Sequence, residues 1–235
     1  MKFSVVIPAH DEAGSIGRCL DAIAKASVDF AGQVEVIVVL NLCTDSTEAI
    51  ACEHGARIVR DDSRNIATIR NTGVREARGE IIVTIDADSV MSPNMLSEIS
   101  AKLGTGKFIG GGVPIRMDRV SLGILLTGVL IFSFIPPGLS LGMFWCHRED
   151  FEAIGGFNES LRIAEDVDFA KQLRARGRTM NKRYGTLWKT RITTSTRKFD
   201  RFGDWYFVMR PRSVWLAVRG IDDGCADKLW YDFKR

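Results

Sequence analysis

The feature that most restricts the fold of this chain is an alternation, repeated four times in its first hundred residues, of a short apolar run with a segment of helical periodicity. FSVVIP (3–8) precedes a stretch with Ile16, Leu20 and Ile23 on one face. VEVIVVL (34–40) precedes a segment that Thr44 or Asp45 can cap and Gly55 can end. ARIVR (56–60) precedes a helical stretch from about Asn65 to Arg78 that stops at Gly79. EIIVTI (80–85) precedes a helix opened at Ser92-Pro93 and closed at Gly104. Parallel strands need long crossovers, and helices supply them, so this order predicts an α/β fold: a mainly parallel sheet with helices on both faces. In such sheets ligands bind outside the carboxyl ends of the strands. Pro8 to Glu12, Asn41 to Asp45 and Asp86 to Asp88 all follow strands, so one crevice can hold all three.

Beyond residue 105 the pattern loosens. KFIGGGVPIRM (107–117) reads as a glycine-weakened strand, and residues 120–146 then run without a charge. That stretch is long enough to cross a bilayer, but Pro136-Pro137-Gly138 interrupts it, and neither part reaches the roughly 20 residues that a spanning helix needs. Three readings stay open for it: a core helix followed by a buried loop, a membrane-facing or lipid-acceptor surface, and a span. EDFEAIGGFNE (149–159) reads as a helix ending in a glycine pair, and a helix from Glu165 to Arg176 is expected to stop at Gly177. A strand-rich basic segment, RYGTLWKTRITTSTRKF (183–199), leads to a region with Trp205, Trp215 and Trp230. No linker or repeat divides the 235 residues, which are read as a single domain with halves 1–104 and 105–235.

Composition excludes several classes. A net charge of +3 is too small to predict nucleic-acid binding, although from Lys171 to Arg219 the basic residues face only two acids, Asp200 and Asp204, a balance suited to phosphate. The five cysteines are scattered, and neither Cys52 with His54 nor Cys146 with His147 has a second pair at zinc spacing. The opening MKFSVVIPAHDEAG holds an apolar run too short for a signal peptide, so a cytoplasmic setting is expected. PAHDEAGSIG lacks the glycine spacing of dinucleotide sites, GTGKF lacks the hydroxyl residue of a phosphate loop, and no G-x-S-x-G is present.

What remains is a site for metal and phosphate. IIVTIDADSV (81–90) ends a strand in two aspartates one residue apart, and alternate side chains of a strand share a face, so Asp86 and Asp88 would project together with Ala87 turned away. A hard cation such as Mg²⁺ or Mn²⁺ is typically held by one or two carboxylates, with phosphate and water completing the shell. Solvated turn aspartates are the plainer alternative. A second pair, Asp166 and Asp168, falls in a helical pattern that would point the two apart.

Taken together, SVVIPAHDEAGSI, NLCTDST, RNIATIRNTGVREARGEIIVTIDADS, GGFNESLRIAEDVDFAKQLRARG and TTSTRKFDRFG resemble a family 2 glycosyltransferase of the GT-A fold, over most of the chain and in the right order. The resemblance implies transfer of a sugar, with inversion, from a nucleotide-diphosphate donor, taken as a UDP-sugar, to an acceptor hydroxyl with Mn²⁺ or Mg²⁺. It implies Asp88 as direct metal ligand with Asp86 on the ribose or a metal-bound water. Asp166 is implied as the base, with Glu165 capping or binding acceptor, and their place at a helix N-terminus is expected to keep the base ionised. Pro8, Ala9, His10 and Glu12 would line the nucleoside and Asn41 would lie under the base, accepting a hydrogen bond without the charge of the Asp often found there. Arg70 would face base or phosphate, and Ser195, Arg197 and Lys198 would clamp the diphosphate. The structural alternatives are a surface arginine at 70, dipole-favoured acids at 165 and 166, and a solvated basic loop at 195–198. Two functional rivals stand beside this reading. One is a transferase at the inner face of a membrane acting on a polyprenyl-phosphate or other lipid acceptor. The other is a module that binds nucleotide sugars without turning them over.

Overall fold

A computed structural model describes residues 1–221 of the chain, so Cys225 and Trp230 lie outside the described residues. In chain order the elements of the first part are β1 (Phe3–Ala9), α1 (Ile16–Ala26), β2 (Val34–Leu40), α2 (Thr47–Glu53), β3 (Arg57–Arg60), α3 (Ile66–Arg75), β4 (Ile81–Thr84), β5 (Ser89–Met91) and α4 (Met95–Gly104). There follow β6 (Phe108–Gly112), β7 (Ile115–Met117), α5 (Leu122–Phe134), β8 (Phe144–His147), α6 (Arg148–Ala153), α7 (Glu165–Thr179), β9 (Arg183–Thr186), β10 (Ile192–Thr194), α8 (Arg197–Phe202) and α9 (Pro211–Val218).

Seven strands form the main sheet in the order β3-β2-β1-β4-β8-β6-β9. All neighbours run parallel except β8, which is antiparallel to both β4 and β6. A small sheet of order β5-β10-β7 stands beside it. The continuous apolar runs of β1 and β4 are buried throughout, because helices cover both faces. Alternation divides their side chains: Phe3, Val5 and Ile7 join Ile16, Leu20, Ile23 and Met95 in one core, whereas Val6, Ile37 and Val39 join Ala67, Val74, Phe169 and Leu173 in the other. In the second core the rings of Phe144, Phe151, Phe157 and Phe169 pack with centroids between 4.3 and 5.9 Å apart. Asn65 starts α3 by accepting from the backbone of Ala67 and Thr68.

Three expectations about the second part change. KFIGGGVPIRM forms two strands, β6 in the main sheet and β7 in the small one. α7 does not stop at Gly177 but runs on to Thr179. Gly177 is there for close packing, since a Cβ on it would lie 2.8 Å from the Lys182 carbonyl and 2.9 Å from Ile109 Cγ2. Most consequential is residues 120–146. The loop after α5 is buried at Ile135 and Leu139, and β8 is buried too. α5 itself is not a core helix: Leu122, Leu125 and Val129 are 63%, 56% and 68% exposed, and only Gly123, Ile124 and Thr127 are buried. Among the described residues no helix is long and apolar enough to cross a membrane.

Candidate active site

The carboxyl ends of β1, β2 and β4 open into a cavity of about 210 Å³. It is lined by Pro8, Ala9, His10, Glu12, Asn41, Asp86, Asp88, Ser195, Arg197 and Lys198, which are all the sequence-predicted residues except Arg70, Glu165 and Asp166. The loops after β1 and β2 are laced together. Asp45 accepts from the Thr47 hydroxyl and from the backbone of Ala13 and Thr47, the last two at 2.9 Å, and these bonds outweigh burial to hold its carboxyl below the usual range. His10 Nδ1 donates to the Asn41 carbonyl at 2.6 Å.

Asn41 is 1% exposed, and its amide Nδ2 donates to the carbonyls of Asp61 and Ser63, each at 2.6 Å. Both donors are thereby used. Its Oδ1, also buried, has no hydrogen-bond partner, and a buried acceptor left unmade costs on the order of 1–3 kcal/mol. With both donors engaged, the residue is oriented to accept a hydrogen bond through Oδ1.

Asp86 and Asp88 follow β4 in a turn closed by the Ser89 amide donating to the Asp86 carbonyl at 3.0 Å, rather than at the end of the strand itself. They do not share a partner. Asp86 Oδ1 accepts from Arg70 at 2.8 Å. Asp88 Oδ2 accepts from Arg197 at 3.0 Å and its Oδ1 from the Thr194 hydroxyl at 3.3 Å. The same Arg197 Nη2 donates to Glu12 Oε1 at 2.6 Å. Burial, with the negative charges of Asp86 and Glu12, raises the Asp88 pKa above the carboxylate range despite the opposing Arg197 and Lys198. Below them the buried Cys19 thiol is also pushed up, first by burial and then by Asp88, Asp86 and Glu12. The floor of the cavity thus gathers three carboxylates, Asp86 held by Arg70, and Asp88 and Glu12 bridged by Arg197.

A second cavity, of about 190 Å³, is lined by Arg70, Thr84, Leu141, Met143, Phe144, Glu165 and Asp166, and it shares Asp86 with the first. Arg70 is 7% exposed, sits 5.2 Å above the Phe157 ring and forks between Asp86 and Glu165 Oε1, the latter at 2.7 Å. It therefore does not face the larger cavity, as a contact to base or phosphate would require, and it is no surface arginine. It locks one acid of each cavity to the other. Asp166, half-buried next to Glu165, accepts from its neighbour's amide Val167 N–H at 2.7 Å. Burial and the charge of Glu165 outweigh Arg70 and the helix start, so its pKa is pushed up to about 7, which corrects the expectation of a carboxylate kept fully ionised. Ser195, Arg197 and Lys198 sit at the start of α8, with Thr196 bound to Asp118, and not on a plain solvated loop.

The larger cavity also takes Arg64, Arg162, Met117, Thr194 and Phe199, which the sequence reading missed. Arg64 lies in the loop after the carboxyl end of β3, though not directly at the strand end as Asn41 does after β2, so the strand-end rule points to its loop. Arg162 carries no such signal.

The model of glycosyl transferase family 2 matches residues 4–154. Among curated proteins, glycosyltransferase AglE of Haloferax volcanii is 30% identical over 46% of this chain and 38% of its own length. Poly(ribitol-phosphate) beta-N-acetylglucosaminyltransferase TarS of Staphylococcus aureus is 28% identical over 99% of this chain and 44% of its own. The chain thus spans less than half the length of these two relatives. The structure of TarS residues 1–349 in complex with UDP-GlcNAc superposes with a TM-score of 0.67 at 21% identity, covering 99% of this chain and 71% of that one. Glucosyl-3-phosphoglycerate synthase from Mycobacterium tuberculosis, in complex with Mn²⁺, UDP-glucose and phosphoglyceric acid, superposes with a TM-score of 0.62 at 21% identity over 94% of this chain and 81% of that one. These likenesses establish the GT-A fold, and the family match takes in β1 through α6 with both aspartates of the β4 turn. On that match the chain belongs to glycosyl transferase family 2.

Proposed function

We propose that this chain transfers a sugar from a nucleoside-diphosphate donor to an acceptor hydroxyl, in one inverting displacement that uses a divalent cation, Mn²⁺ or Mg²⁺. The observation that carries the reading is the position of Asp86, whose carboxylate lines both cavities. A donor seated in the larger and a base in the smaller would meet across one side chain. Residues 1–104 would build most of the nucleotide side and later residues the acceptor side, within one domain.

The residues present fit a hard cation. Asp86 and Asp88 offer carboxylate oxygens in a cavity where Arg70 holds Asp86 and Arg197 bridges Asp88 to Glu12, and among the described residues no three His, Cys, Asp or Glu side chains group closely enough to hold an ion alone. Such a sparse set suits Mn²⁺ or Mg²⁺, which keep waters and substrate phosphate in their shells. When bound, the cation would neutralise the charge developing on the departing diphosphate. Arg197 and Lys198 would add positive charge beside it. Asn41 Oδ1 would accept from the base, which selects a ring presenting an N–H, as uracil does. The relatives bound to UDP-GlcNAc and UDP-glucose favour that choice. Asp166 would take the acceptor proton, a task matched by a carboxyl that titrates near neutrality.

Thermal shift with UDP, GDP, CDP and ADP, each with and without Mn²⁺, tests the donor side. Stabilisation by UDP that needs Mn²⁺ is expected, and equal stabilisation by CDP would remove the role given to Asn41. Release of UDP from a UDP-sugar, followed across a panel of hydroxyl acceptors, separates a transferase from a module that only binds.

A further inference from the structure

Helix α5 is apolar on every side, and a helix of that composition is ordinarily covered all round. Its inner side is: Gly123 lies so close to the chain after α8 that a Cβ there would come within 2.5 Å of the Asp204 carbonyl oxygen. Its outer side is bare. Leu122, Leu125, Leu126, Val129 and Phe132 recur at the i, i+3, i+4, i+7 spacing of one helical face and are 40–68% exposed. Trp205 and Met209, 48% and 79% exposed, stand on the segment that joins α8 to α9, and the start of that segment packs on α5.

The surroundings of this face are basic. Past Arg197 and Lys198, which line the larger cavity, residues 199–219 hold four basic side chains and two acidic ones, and both acids are already bound by Arg119, Asp200 at 2.8 Å and Asp204 at 2.7 Å. Arg116, Arg210, Arg212 and Arg219 are exposed, Arg210 lying over the Tyr206 ring and Arg219 over Trp215. A second copy of this chain would bring two basic rims together and is disfavoured by that repulsion. An anionic lipid surface satisfies both features at once: acyl chains take the apolar stripe, the headgroup level takes the tryptophan, and lipid phosphates take the arginines. At 13 residues α5 is too short to cross the hydrocarbon, so it would lie in the interface.

We propose that the outer face of α5, with Trp205 and the arginines around it, seats the protein on an anionic bilayer as a peripheral membrane surface. The claim is independent of the transferase reading, because its test needs no turnover. Full-length chain is sedimented with phosphatidylcholine vesicles and with vesicles containing about 30% phosphatidylserine, at low and high salt. Binding to the anionic vesicles alone, lost at high salt, is expected. The triple change Leu125→Ser, Val129→Ser, Phe132→Ser should weaken it at least about tenfold, and Arg210→Gln with Arg212→Gln several-fold. Because these side chains face outward, the melting temperatures of both variants should stay near wild type, and equal folding is confirmed by circular dichroism. Absence of vesicle binding at every salt concentration would overturn the proposal. So would a dimer, by sedimentation velocity, that the triple change dissolves, since a second copy would then cover the face. Resistance of the vesicle-bound protein to alkaline carbonate would do so as well, by indicating insertion.

Discussion

The first 104 residues and those that follow are built on different logic, and the site lies on the seam between them. In the first part β1, β2 and β3 are each followed by a helix, and the short β5 stands between β4 and α4, so position along the chain nearly dictates position in space. In the second part the strands scatter over two sheets, and the residues that matter reach back across long separations: Arg197 to Glu12, Thr194 to Asp88, and Glu165 to Arg70. The first part supplies fixed carboxylates and an oriented amide. The second supplies the compensating charge of Arg197 and the acid that titrates. The two parts interleave at the site, since Ser195, Arg197 and Lys198 line the larger cavity while Arg70 lines the smaller.

If that division of labour is right, the two sides should fail differently. Asp166→Asn should lower kcat by a factor of about 10²–10⁴ while donor affinity, by calorimetry, stays within a few-fold of wild type. Parallel loss of donor binding would erase the distinction. Asp88→Asn should do the reverse, cutting Mn²⁺-dependent UDP affinity by about tenfold or more, since an amide lacks the charge that draws a hard cation out of water. Asp86→Asn should cost less affinity for the ion, but it should also disturb Asp166, because it releases Arg70 from its fork.

The comparison also explains what could be read in advance. Pro8 to Glu12, Asn41 and the Asp86–Asp88 turn were legible because strand ends in a parallel sheet converge whatever the loops do. The bonding of Asn41 to the Asp61 and Ser63 carbonyls was not, because it depends on a loop conformation that no periodicity encodes. The exposure of α5 was hidden for the opposite reason: a helix apolar on all sides has no polar stripe to say which face is bare. The helix that carries Arg70 is legible in the sequence, but its bond to Glu165, 95 residues away, is not, since only the fold brings that carboxylate into reach.

The titration of Asp166 sharpens the contrast in a smaller way. As a base it must be unprotonated, and with a pKa near 7 its ionised fraction rises from about a tenth at pH 6 to about nine tenths at pH 8. Turnover should climb about tenfold over that interval and then level off, whereas UDP affinity measured with saturating Mn²⁺ should change much less. For stability the sign is the opposite. A carboxyl whose pKa is raised on folding favours the folded state at low pH and loses that contribution as pH rises through about 7. Asp166→Asn should therefore raise the melting temperature at pH 8 and leave it nearly unchanged at pH 4.

Arg197 gives the smallest expected effect and the most discriminating one, because a single variant should move two affinities in opposite directions. Its guanidinium bonds Asp88 and Glu12 together, so it competes with any cation for Asp88. Arg197→Gln removes that competitor and leaves the carboxylates of Asp88, Asp86 and Glu12 uncompensated by it. Affinity for Mn²⁺ without nucleotide, read by electron paramagnetic resonance of free Mn²⁺, should rise a few-fold at pH 8. The gain should shrink as pH falls, because losing Arg197 raises the Asp88 pKa still further and protons then compete with the metal. UDP affinity at saturating Mn²⁺ should fall in the same variant, since one of the two cations beside the diphosphate is gone. If Mn²⁺ affinity falls instead, with the fold intact, Arg197 holds Asp88 in place for the ion, and the second part of the chain builds the metal site rather than guarding it.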